Sequence, residues 1–270
     1  INHREPDHVP LYLKWWHRPY LSTKKDAWKD QLERVEKVLN LGLDDAVGFE
    51  PPLFLAEGVE IRRWREGSLL FKEYRTPKGN LRQVVRRTED WPHGDDVPLF
   101  SDHIIPRSRS VKYMIENEED LQALACLLRE PRQKEIRAFQ DKSEAVKRFA
   151  DEKEVLIECG GEFVDYSVWG DTMGLLVGDA LSWLCGLENA MIAAFRNPDF
   201  LQCLLDIIFE WDMRYLRLVL EAGGADVIVH RGWYENGSFW SAKMYETFFA
   251  PRIRKLIEMT HKYKAKFCYI

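Results

Sequence analysis

The chain has few cysteines for its 270 residues. There are five, an odd number, at 126, 159, 185, 203 and 268, and none form a CxxC pair. That count argues against a disulfide framework and reads as reduced thiols in a cytoplasmic protein. Long apolar runs are also missing. The stretch 173–187 comes nearest, and Asp179 breaks it well short of the ~20 residues a membrane helix needs. Positive charge is not in excess: 39 Lys and Arg face 44 Asp and Glu, for a net charge of −5 and a pI near 5.9. A nucleic-acid binder is usually basic, so that partner is not expected. The opening residues are charged and polar, with no signal-peptide pattern. No 20–50-residue repeat marks a solenoid.

What is present points to an α/β enzyme. Hydrophobic residues make up 46% of the chain, with ten Trp and fourteen Phe, enough for a bulky core. The length suits one α/β barrel, about 250 residues in typical cases. The chain opens inside INHREPDHVPL without an initiator Met and stops in the apolar run 266–270. It reads as a fragment, one truncated domain over 1–270.

Patterning places elements along that domain. Residues 23–41 have helical spacing at Trp28, Leu32, Val35, Val38 and Leu39, and stop at Gly42. Residues 45–49 form a strand candidate that delivers Glu50 into a loop with Pro51 and Pro52. Residues 59–88 alternate between turn signals at Glu66-Gly67 and Pro77-Lys78-Gly79, as inserted antiparallel ribbons do. Between 57 and 88 nine Lys and Arg face four Glu, so this insert is basic within an acidic chain. Helices are expected over 118–128, 133–153, 179–185 and 188–195. The longest, over 199–222, runs between Asn197-Pro198 and Gly223-Gly224. Strand candidates at 155–157, 227–229 and from 266 onward alternate with these helices. A helix capped by Ser241 should break at Pro251 before another over 253–261.

The densest chemistry follows the strand at 227–229. There the polar loop His230, Arg231, Trp233, Tyr234 and Glu235 precedes the Ser241 helix. Residues just past the carboxyl ends of buried strands are where α/β folds place reactive groups. His230 transfers protons near neutral pH or binds a metal, and Glu235 supplies a partner charge. With Glu50, these are the catalytic candidates. Glu158, Arg231, Trp233 and Tyr234 are substrate-binding candidates, with Tyr234 a hydrogen-bond donor. Glu50, Glu158, His230 and Glu235 are expected to converge on one cavity. The ordinary readings are a solvated loop acid for Glu50, a helix cap for Glu158, a backbone-satisfied ring for His230 and an internal ion pair for Arg231. Cys159 and Cys268 read as small core residues. Trp15, Trp16, Trp233 and Trp240 can wall a flat pocket or pack the core.

Several stretches resemble the uroporphyrinogen decarboxylase superfamily. They are HREPDHVPL at 3–11, TPKG at 76–79 followed by Leu81-Arg82, NPD at 197–199, EAGGAD at 221–226, the Ser241–Tyr245–Pro251 stretch, and a last helix carrying His261. The resemblance spans nearly the whole chain. It implies a (β/α)8 TIM barrel, incomplete at the C-terminus and carrying the inserted ribbon at 57–88. The ribbon with its TPKG turn is similar to the corrinoid-dependent methyltransferase branch. That branch implies methyl transfer involving a methoxylated, methylamine or thiol substrate, a corrinoid carried by a partner protein, and in many members zinc. The zinc ligands would fall beyond residue 270. The decarboxylase branch implies a tetrapyrrole substrate, but LYLKWWHRPYL stands where it carries an RQAGRY-type stretch, and only Arg18 and Tyr20 echo that. A barrel that binds a corrinoid protein without turnover is the reading from another class.

Overall fold

Short apolar runs separated by amphipathic helices give the chain its main layer. A computed structural model describes residues 11, 28–160 and 174–270. The HREPDHVP motif, Trp15, Trp16, Arg18, Tyr20 and the expected helix start at 23–27 lie outside the described residues. Strands β1 (Ala46–Val47), β6 (Leu156–Cys159), β7 (Val227–His230) and β8 (Lys266–Tyr269) pair in parallel, in that order. Parallel neighbours need crossovers. Here these contain α2 (Glu118–Ala125) and α3 (Gln133–Lys153) before β6, then α4 (Asp179–Leu184), α5 (Leu187–Arg196) and α6 (Pro198–Ala222) before β7. Helices α7 (Ala242–Phe248) and α8 (Ala250–Lys262) lead to β8, and α1 (Gln31–Asn40) precedes β1. The fold is therefore mixed α/β, with a four-stranded parallel sheet among the described residues.

Helix α6 anchors this layer. The Asn197 side chain accepts from Phe200 N at 3.2 Å, Pro198 opens the first turn, and Gly223 at φ +78° ends the helix. Its buried stripe includes Leu204, Ile208, Trp211, Tyr215 and Val219, packed with Ile157, Cys159 and Ile228 of the sheet. Pro251 falls in the first turn of α8, so the expected break sits between α7 and α8.

The inserted ribbon is larger than the sequence pattern indicates. Strands β2 (Glu60–Glu66), β3 (Leu69–Thr76) and β4 (Gly79–Arg86) pair antiparallel, and a fourth, β5 (Ser110–Lys112), joins β4 across a bulge. Three residues were too short for alternation to reveal β5. Leu70 and Val85 on the ribbon's inner face form a separate small core with Trp91, Val97 and Ile104. The basic surplus is largely neutralised within this unit. Arg63 and Lys72 meet Asp96 at 2.7 and 3.0 Å, and Arg87 meets Asp95 at 2.9 Å. Arg75 and Arg82 grip the buried Glu73 and hold its carboxyl below the usual range. The insert's positive charge thus mostly binds the chain's own acids.

One glycine fixes how β6 meets β7. Gly160 has φ +94°, and a Cβ there would sit 2.6 Å from the Val229 carbonyl oxygen. Gly160→Ala is expected to cost about 3 kcal/mol, from left-handed strain plus overpacking. Gly237→Ala, with nothing within 4 Å of the added carbon, should change stability by less than about 0.5 kcal/mol. Urea denaturation of the two variants checks this, and equal midpoints would refute it.

Candidate functional site

His230 closes β7, and its side chain is fully buried, as is that of Glu235. The His230 Nε2 lies 3.1 Å from both Glu235 carboxylate oxygens. Glu235 Oε1 also accepts from Gly178 N at 2.5 Å, and Oε2 accepts from the Tyr269 hydroxyl at 3.0 Å. Two glycines make room for this cluster. A Cβ on Gly178 would lie 2.5 Å from Glu235 Cγ, and one on Gly232 would lie 2.3 Å from the Tyr269 hydroxyl oxygen. Burial works against a charged His230. The neighbouring Glu235, followed by Asp179 and Asp212, outweighs it and raises the imidazole pKa above its ordinary value. Its Nδ1 is buried with no hydrogen-bond partner among the described residues.

Two further acids support the pair from behind. Asp212 on α6 accepts from Leu176 N at 2.7 Å and Val177 N at 2.9 Å, and burial pushes its carboxyl up to about 7 against those bonds. Val177 sits at φ +31°, which is rare for a β-branched residue, and Asp212 holds it there. Asp179 accepts from Tyr234 N and from Arg231 Nε, both at 2.9 Å. Burial lifts it to about 7 despite that cation.

Arg231, read from sequence as a substrate contact, is engaged inside the protein. Its terminal nitrogens reach Asp102 at 2.8 and 3.1 Å, while Nε holds Asp179. The guanidinium lies 4.5 Å from the Trp233 ring and 5.3 Å from that of Trp183. This is a bidentate, stacked arginine that ties the ribbon side of the chain to the β7 loop. Trp233 therefore serves partly as its lid. Tyr234 is half-buried with its ring near Phe239, and Trp240 is packed in the core and donates to the Tyr234 carbonyl at 2.7 Å.

The expected convergence of four acid–base groups is corrected by strand register. Glu158 pairs with Val227, and Cys159 with Ile228. Side chains alternate along a strand, so Glu158 shares a face with Val227 and Val229, while His230 shares the opposite face with Ile228. The strands run one or two residues past their expected ends, which moves Glu158 into the sheet. Glu50 joins neither group. Its Oε1 accepts from Gly160 N at 2.8 Å and its Oε2 contacts the Tyr215 hydroxyl. Burial pushes its carboxyl up to about 8, overriding both hydrogen bonds. Of the four groups expected to converge, His230 and Glu235 come into contact.

Tyr269 opens onto a cleft of about 340 Å³, lined also by Asn236, Gly237, Trp240, Ala242, Tyr245 and Glu246, with the buried Glu235 at its inner wall. The Tyr245 and Tyr269 phenols share this lining. Sequence reasoning missed both phenols. Tyr269 becomes visible only once β8 is known to pair with β7, which sets it beside His230. Asp179 and Asp212 lay within apolar helical patterns whose burial could have flagged them.

Among the described residues no group of three or more His, Cys, Asp or Glu is arranged to hold a metal ion. Cys159 is buried and its thiol is pushed well up by burial, as befits a core residue. No described helix is long and apolar enough to cross a membrane. No protein-family model, curated protein or solved structure matches the chain.

Glu50 gives the site a pH signature. Its folded pKa of about 8 exceeds the ordinary 4.5, so the folded state keeps a proton that the unfolded chain releases. Stability is then undiminished below about 4.5 and falls as pH rises towards about 8, by at most about 1.4 kcal/mol per pH unit. Glu50→Gln mimics the neutral acid and should flatten that decline between pH 5 and 8. Urea titrations of both proteins measure it, and parallel curves would rule out the raised pKa.

Proposed function

We propose that this chain is a proton-transferring enzyme whose His230–Glu235 pair works through Tyr269 on a small molecule in the adjoining cleft. The observation that carries this reading is a fully buried histidine–carboxylate pair connected by one phenol hydroxyl to an open cleft. The pair holds a proton, and the Tyr269 hydroxyl passes it to or from an oxygen or nitrogen of the bound molecule. Gly178 N orients Glu235, while Asp212 and Asp179 sustain positive charge on His230.

Taken with the resemblance in sequence, the chemistry is methyl transfer of the corrinoid-dependent kind, with a methoxylated, methylamine or thiol substrate. A proton delivered to the departing oxygen or nitrogen assists its release. The corrinoid would come on a partner protein and supply the metal that carries the methyl group. Among the described residues there is no metal-ligand set. The strand order β1-β6-β7-β8, each strand reached through helices, supports reading the parallel layer as consecutive strands of a (β/α)8 barrel. Five free thiols support a reducing, cytoplasmic setting. Decarboxylation of a tetrapyrrole would call for cations facing the substrate's carboxylates. The cleft lining has none, and Arg231 is bound to Asp102 and Asp179.

The test is methyl transfer from aryl methyl ethers and methylamines to free cob(I)alamin, and from free methylcobalamin to thiols, with the corrinoid absorbance followed. His230→Gln should slow turnover about 100-fold or more, and Tyr269→Phe about 10- to 100-fold. Tyr269 is 42% exposed, so its variant should melt within a few degrees of the parent. Folded variants with undiminished turnover would remove the proton-transfer assignment. A parent protein inert towards every substrate would remove the methyl-transfer one.

A further inference from the structure

We infer that the cleft beside Tyr269 takes a small organic cation with an apolar body. The inference rests on the reading above for the cleft being the substrate site. The lining holds two acidic residues, the exposed Glu246 and the buried Glu235 behind Tyr269, and three aromatic side chains, Trp240, Tyr245 and Tyr269. It contains no Lys, Arg or His. Its side-chain hydrogen-bond donors are turned elsewhere. Trp240 Nε1 donates to the Tyr234 carbonyl at 2.7 Å, Asn236 Nδ2 to the Trp233 carbonyl at 2.6 Å, and the Tyr269 hydroxyl to Glu235 at 3.0 Å. A carboxylate only accepts, so the Tyr269 hydroxyl points its proton at Glu235. The Tyr269 proton therefore runs inward, and its oxygen offers lone pairs outward. Such a wall matches a donor-rich cation and repels an anion, while the aromatic surface suits an apolar body.

Neighbouring cations do not reverse this balance. His230 lies behind Glu235 and offsets part of its charge, but it does not line the cleft. Arg254 reaches Glu246 at 2.9 Å from outside the lining, with both side chains about 60% exposed, where an ion pair is weak.

Three ligands of one shape separate the possibilities: benzylammonium, benzyl alcohol and benzoate, titrated calorimetrically against the purified chain. Benzylammonium should bind at least tenfold more tightly than benzyl alcohol, and benzoate should not bind measurably. Glu246→Gln and Tyr245→Phe should each weaken benzylammonium several-fold and leave the alcohol unchanged, which excludes a general loss of fold. Equal affinity for the alcohol or benzoate, no binding of benzylammonium, or unaltered benzylammonium affinity in both variants would each overturn the inference. His230→Gln keeps the two ideas apart. If it abolishes turnover while benzylammonium fails to bind the parent, the cation inference falls and proton transfer stands. If benzylammonium binds while His230→Gln and Tyr269→Phe turn over normally, the reverse holds.

Discussion

Burying a histidine and a glutamate with no solvent contact is the constraint that organises the carboxyl edge of the parallel sheet. A lone buried carboxylate would simply take up a proton, and a lone imidazole would stay neutral. Together, 3.1 Å apart, they support each other's charge, provided every remaining lone pair finds a donor. Gly178 N and Tyr269 supply those donors to Glu235. Each supplier imposes its own demand. Gly178 must lack a side chain, Gly232 must leave room for the Tyr269 ring, and the 174–178 backbone must bend through Val177. That bend is held by Asp212, a second buried acid. The local strain, the glycines and the acid on α6 thus follow from one ion pair.

Arg231 extends the same logic to a longer range. It is buried, so it needs compensation, and it finds it in Asp179 from α4 and Asp102 from the segment after the ribbon. The residue after His230 is therefore the tie that binds three distant parts of the chain. Arg–carboxylate pairs of this type are geometrically selective, which makes them suited to positioning a loop. The ribbon uses charge in a similar way. Its arginines and Lys72 meet the acids of the following loop and the buried Glu73, and the small Leu70–Val85–Trp91 core sits beneath them. The ribbon's positive charge thus serves mainly to hold its own cover in place.

Two acids with raised pKa values, the half-buried Glu50 after β1 and the buried Asp212 on α6, serve different environments. Glu50 is braced between the Gly160 amide and the Tyr215 hydroxyl and holds its proton at neutral pH. Asp212 titrates near neutrality within reach of His230, so the charge on the histidine is linked to a second group. Coupled groups of this kind titrate as a set rather than singly.

Periodicity and punctuation by themselves determined the alternation of helices and strands. The stripe of α6, the Asn197-Pro198 start, the Gly223 stop and the His230–Glu235 loop are all legible in the amino-acid order, because each depends on neighbours within a turn or two. Register was not. Whether Glu158 and His230 share a face depends on where each strand ends and which residue lies opposite, and a shift of one residue inverts the answer. Tyr269 and Tyr245 reach the site only through the pairing of β8 with β7 and the packing of α7. Asp102 finds Arg231 across 129 positions of chain. The three-residue β5 has too few positions to show a period. These are contacts between segments distant in sequence, fixed by which surfaces must be buried and which charges must be matched, and only the folded chain decides them.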